Sequence, residues 1–237
     1  MAFVIFAGHG DRMALGNRRK PGFRVFGRSA VVSIIAFLVG CASAQDYLDR
    51  QTGQLPRLSA FPVCHGYGCR WRTMVNMDPS AWEEVRALFR PAPRSAAEER
   101  IRLGRAIALM ELKVGAAAGT ATDEAEAETF SSGPDQLDCI DETVNTTTYL
   151  RLLEQDGLLR WHRIGRAERR GWLLAPLFRS SDFITNTAVI VEKDTGERYA
   201  IDSYFYANGR QPAILPLAVW RQNWRPQPGD RGRTVFE

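Results

Sequence analysis

The residue in this chain best suited to covalent chemistry is Cys139, in the stretch GPDQLDCIDETVN, where a run rich in turn residues gives way to a helical pattern. A thiol in the first turn of a helix can be ionised by the positive end of the helix dipole and by a nearby imidazolium, and the thiolate is then a nucleophile. Asp138 can cap such a helix by accepting from its first N–H groups. The same stretch opposes ionisation, because Asp138, Asp141 and Glu142 bring negative charge to the sulfur. An imidazole must come from one of only three histidines, His9, His65 and His162. The alternative reading of Cys139 is a small apolar residue of the core.

The compartment bears on every cysteine. Arg18, Arg19, Lys20, Arg24 and Arg28 precede the apolar run AVVSIIAFLV (residues 30–39), which is too short to span a bilayer and reads as an export signal over residues 1–40. His9 goes with that signal. The run ends in LVGC, similar to the lipobox of bacterial lipoproteins, which implies cleavage before Cys41 and its lipidation. Ordinary cleavage after ASA (residues 42–44), or an uncleaved anchor, are the alternatives. The expected location is the periplasm or cell envelope. Residues 1–40 hold six of the 31 basic and one of the 27 acidic residues, so 25 and 26 remain, a net charge of about −1. No basic excess is left to displace counterions from a nucleic acid, so no nucleic-acid partner is expected. Cys64 and Cys69 in CHGYGC are expected to pair as a local disulfide in an oxidising compartment; zinc held by Cys64, His65 and Cys69 lacks an evident fourth ligand. Cys139 is then the odd thiol.

The elements that must position these residues follow from pattern. Residues 41–76 read as a tether carrying the Cys64–Cys69 loop, residues 77–224 as the folded domain, and residues 225–237 as an irregular tail. Asp78 and Pro79 open a helix with Trp82, Val85 and Phe89 on one face. A second helix runs from Ser95 to about Val114, with Leu103, Ile107, Met110 and Val114 at helical spacing. A third runs from Cys139 to about Gln155, stopped by Gly157. Strands follow in LLRWHRIG, FITNTAVIVE and ERYAIDSYFY, with a hairpin turn at KDTG between the last two. Helices first and an antiparallel meander afterwards predict an α+β domain.

This order of parts, a cysteine opening a helix (QLDCIDE) followed by a meander with an aspartate in YAIDSYF, resembles the transglutaminase-like branch of the papain-like cysteine hydrolases over roughly residues 95–206. The resemblance implies a thiol nucleophile at Cys139, an orienting carboxylate at Asp202, help from Gln136 in an oxyanion hole, and an imidazole on the strand before Asp202. With a three-residue loop at KDTG, Lys193 pairs with Glu197 and Ala188 stands opposite Asp202. The imidazole position then falls on Asn186; a slip of one residue presents Thr185. His162, on a neighbouring strand, and His65, if its loop folds over the cleft, are the candidate replacements. The activity implied is acyl transfer or hydrolysis on peptide amides through an acyl-enzyme, or, in a degraded relative, the holding of a peptide or protein partner. The rival expectation is a structural envelope lipoprotein with a buried thiol. The aromatic residues from Trp161 to Trp224 read as core, and RIGRAERR (residues 163–170) as a solvated loop able to receive an acidic partner. No cofactor is expected, since the chain carries no phosphate loop, metal-ligand cluster or serine elbow.

Overall fold

The computed structural model describes residues 43–50, 55–127, 133–171 and 184–237. The expected lipidation site, Cys41, lies outside them. Residues 42–237 form one compact unit.

The helices stand where their caps put them. Asp78 accepts from the Ser80 N–H and Pro79 occupies the first position of a helix spanning Pro79–Ala87. Ser95 accepts from the Glu98 N–H to open Ala96–Ala118, which Gly119 ends in the left-handed conformation, φ 78°. Asp138 opens Cys139–Gln155. With a short helix, Ala44–Arg50, before them, these are α1 (Ala44–Arg50), α2 (Pro79–Ala87), α3 (Ala96–Ala118) and α4 (Cys139–Gln155). Trp82, Val85 and Phe89 of the α2 region and Leu103, Ile107, Met110 and Val114 of α3 are all buried, in one core with Tyr149, Leu150 and Leu153 of α4. Each such side chain contributes about 1.5–3 kcal/mol on leaving water.

Residues 41–76 do more than tether. They supply α1 and an antiparallel hairpin, β1 (Phe61–His65) and β2 (Trp71–Val75), whose Phe61, Val63 and Val75 enter the main core. The tail is likewise pinned: it has no helix or strand, yet Val235 is buried in the core and Arg233 accepts from the Gln211 N–H.

The second sheet is antiparallel and centres on β5 (Thr185–Glu192). One edge of β5 pairs with β3 (His162–Ile164) and then with β4 (Glu168–Arg170); the other pairs with β6 (Arg198–Asp202), followed by β7 (Ala213–Pro216) and a final turn of helix, α5 (Leu217–Trp220). Part of the arginine-rich stretch read as loop is therefore strand. The β5–β6 register differs by one residue from expectation. Ala188 pairs with Ile201, Glu192 accepts from Gly196 and donates to Glu197, and the loop holds four residues, Lys193 to Gly196. The sheet separates two apolar layers: Ala188, Ile190 and Ile201 face the helical core, whereas Val189 and Ala200 pack on Leu217 and Trp220.

Candidate functional site

The N-terminus of α4 is organised by two aspartates. Asp138 Oδ1 accepts from the N–H groups of Ile140 and Asp141, at 2.9 Å each, and Asp141 Oδ2 accepts in return from the Asp138 N–H. The Cys64–Cys69 loop docks on these carboxylates. Gly66, Tyr67, Gly68 and Cys69 all have positive φ, between 58° and 75°, which turns successive N–H groups to one side and makes a concave nest for anions. Tyr67 and Cys69 donate to Asp141 at 2.8 and 2.6 Å, Gly68 donates to Asp138 at 2.9 Å, and Gly66 donates to the Gln136 carbonyl. Asn145 of α4 holds the start of the loop by accepting from the Cys64 N–H and donating to its carbonyl. Glycine is required at 66 for a second reason, since a β-carbon there would stand 2.5 Å from the Trp71 ring.

Cys64 and Cys69 form a disulfide. With Asp141 they make the one grouping of potential metal-ligand atoms found among the described residues, within 4.8 Å of one another. A disulfide offers no thiolate to a cation, and both Asp141 oxygens already accept backbone N–H groups.

Cys139 is half-buried and has a free thiol. Its sulfur lies 3.5 Å from Asn186 Nδ2, and Asn186 Oδ1 accepts in turn from the Ala44 N–H. Burial, and then the charge of Asp138, push the thiol up to about 12; the Asn186 side-chain and backbone N–H groups and the Thr185 hydroxyl pull the other way without overcoming them. The structure thus brings Cys139 and Asn186 together.

It does not bring the others to them. Continuing the β5–β6 register puts Thr187 opposite Asp202, so Asp202 projects from the face that packs on Trp220, whose Nε1–H donates to Oδ2 at 2.6 Å. Burial raises Asp202 to about 6, against the pull of that bond and of Arg170. His162 pairs with Glu192, six residues along β5 from Asn186, a separation of about 20 Å at the rise of a strand. His162 is wholly buried, with Nδ1 at 2.9 Å from Glu99 Oε1 and Nε2 at 3.1 Å from Arg100. The His65 loop does fold onto the α4 terminus, but its ring is turned to the Pro134 carbonyl, 2.6 Å from Nδ1, and to the Thr73 hydroxyl. Gln136 donates through Nε2 to the Thr122 carbonyl and accepts at Oε1 from the Glu124 N–H, which ties down the 120s loop rather than forming an oxyanion hole. Among the described residues no imidazole reaches the sulfur.

A feature absent from the motif reading is the set of buried carboxyls behind the site, Glu111 of α3, Asp123 and Glu142 of α4. Burial drives Glu111 up to about 8, Asp123 up to about 7 and Glu142 well above the carboxylate range; the charge of Asp123 adds to the rise of Glu111, those of Asp135 and Glu124 to that of Asp123, and those of Glu111 and Asp123 to that of Glu142. Glu111 had a signal in the sequence: it follows Ile107 by four residues and Leu103 by eight, on the buried stripe of α3.

No family model, curated protein or solved structure matches this chain.

Proposed function

We propose that this chain is an exported envelope protein whose transglutaminase-like core is a non-catalytic scaffold, with Cys139 held as a neutral thiol and the domain serving to hold an extended peptide or a partner protein. The observation that carries the reading is the Asn186 amide 3.5 Å from the Cys139 sulfur, where acyl chemistry needs an imidazole. An amide neither takes the thiol proton nor, once the sulfur has attacked, protonates a leaving amine. A thiol whose pKa stands near 12 is ionised to about one part in 10⁵ at pH 7, against a few per cent for an ordinary cysteine. The Cys64–Cys69 disulfide agrees with an oxidising compartment, and the lipobox-like LVGC with an anchor in the envelope membrane. No helix among the described residues is long and apolar enough to cross a membrane; attachment in this reading is through Cys41.

The test is alkylation of the folded protein by iodoacetamide between pH 6 and 10. The expected rate is slow and still rising at pH 10, and Cys139→Ser abolishes it. A rate that reaches its plateau below about pH 8 would mean an activated thiolate and would overturn the non-catalytic reading.

A further inference from the structure

The chain beyond residue 40 is nearly neutral, yet its arginines are unevenly placed. The Tyr47 ring of α1 lies under two guanidinium groups, Arg50 at 4.5 Å and Arg72 of β2 at 5.8 Å. Arg70 stacks at 5.6 Å on Trp71, which is 51% exposed at the end of β2. From the other side the arginine-rich 163–170 stretch reaches the same helix: the Ala167 N–H donates to Gln45 Oε1, Arg166 meets Asp49 at 3.3 Å, and the charge of Arg169 acts on Asp46. Four exposed arginines, Arg50, Arg72, Arg166 and Arg169, therefore surround α1 against its two aspartates, Asp46 and Asp49, and Arg70 is exposed just before β2. Trp71 and Met74, 61% exposed, are large apolar side chains left in water beside them.

Two considerations select the partner. Arginine on a surface with an exposed tryptophan matches the headgroup layer of a bilayer, where guanidinium pairs with phosphate and the indole is amphipathic enough to enter. Chain length supplies the second. Ala44 is three residues beyond Cys41, so a lipid on Cys41 keeps α1 within about 10 Å of its anchor point. That is about one Debye length at moderate salt, so the charges act on the surface only partly screened.

We propose that this arginine-rich face of α1, β2 and β4 docks on an anionic bilayer surface, with phosphate headgroups taking Arg50 and Arg72 and with Trp71 in the headgroup layer. The orientation rests on the envelope reading above, and it turns the rest of the domain toward the aqueous side.

Flotation of the full chain with phosphatidylcholine vesicles, and with vesicles containing one quarter phosphatidylglycerol, tests it. The expected result is tighter binding to the anionic vesicles, weakened about 30-fold by Arg50→Gln with Arg72→Gln, at roughly 1 kcal/mol per arginine. Arg94→Gln, a cation on a distant loop, should leave binding unchanged. Brominated lipid should quench wild-type fluorescence more than that of Trp71→Phe. Equal binding to both vesicle types, an undiminished double variant, equal quenching in Trp71→Phe, or tighter binding to polyglutamate than to the anionic vesicles would overturn the proposal, the last in favour of an acidic protein partner. Mass spectrometry of the mature N-terminus separates it from the anchor reading. Acylated Cys41 without a preference for anionic vesicles sinks the docking face alone; the preference without acylation sinks the anchor alone and keeps the face.

Discussion

Replacing His162 by alanine should destabilise the fold by about 3–5 kcal/mol and leave Cys139 untouched. Glu99 has no exposed surface, and its carboxylate accepts from the backbone N–H groups of Arg160, Trp161 and His162 as well as from the His162 ring. Burial by itself would raise this carboxyl; the bonds from His162, Trp161 and Arg160 overcome it and hold the group below its ordinary value. Arg100 has no lone pair, so it must donate to Nε2, which leaves the proton on Nδ1 to face Glu99. Alanine removes one hydrogen bond to a buried charge, about 1.5–3 kcal/mol, and opens a cavity beside Tyr199, whose ring stands edge-on at 6.1 Å. With a urea dependence of about 2 kcal/mol per molar, the unfolding midpoint should fall by about 2 M. The iodoacetamide rate profile of the folded protein should superimpose on that of the wild type, because His162 and Cys139 lie at opposite ends of β5. A shifted thiol profile, or a loss below about 1 kcal/mol, would refute both the separation and the account of the buried pair.

Two further outcomes follow from the charges. Glu111 and Asp123 have folded values of about 8 and about 7, far above those of an unfolded chain, so between about pH 4 and 8 the native state keeps protons that the unfolded state has released. Stability is then complete below the unfolded value and declines as pH rises: thermal midpoints should drop from about pH 5 to 8, and Glu111→Gln should flatten the decline. A midpoint that climbs over this range would show the carboxyls ionised in the fold. Asp138→Ala removes the cap of α4 and a partner of the docked loop, at a cost of about 1–2 kcal/mol in urea melts. Because the charge of Asp138 also raises the thiol, alkylation of Cys139 in this variant should become faster at each pH; an unchanged rate would leave burial as the whole cause.

The helices were legible because each begins with a side chain that satisfies otherwise orphaned N–H groups, Asp78, Ser95 and Asp138, and carries its apolar residues at helical spacing. The short strands were not. β4 and β7 have no strong alternation, since Glu168 is held by Arg198 and Arg221 and AILP is only half-buried on both faces. The hairpin of residues 61–75 is hidden by Pro62 within its first strand and by Gly66 and Gly68 in its turn, and its docking on α4 comes from Asn145 and two aspartates about eighty and seventy residues away. No local pattern carries that information.

The site itself turns on one residue of loop length. Gly196 is left-handed, φ 72°, in either a three- or a four-residue turn, so the glycine fixes the presence of the hairpin and leaves its register open. What decides the register is burial. The four-residue turn lets Tyr199 and Ile201 join Ala188 and Ile190 against α4, and gives Ala200 to the layer built by Leu217 and Trp220. A three-residue turn would set the side chains of one strand against the wrong layer. Asp202 follows its strand to the far face, where the indole of Trp220 meets it, and Asn186 remains facing the sulfur. Packing of β6 by its own apolar residues therefore separates the carboxylate from the cysteine, and a histidine placed at 186 would still lack the orienter that the resemblance assigns to Asp202.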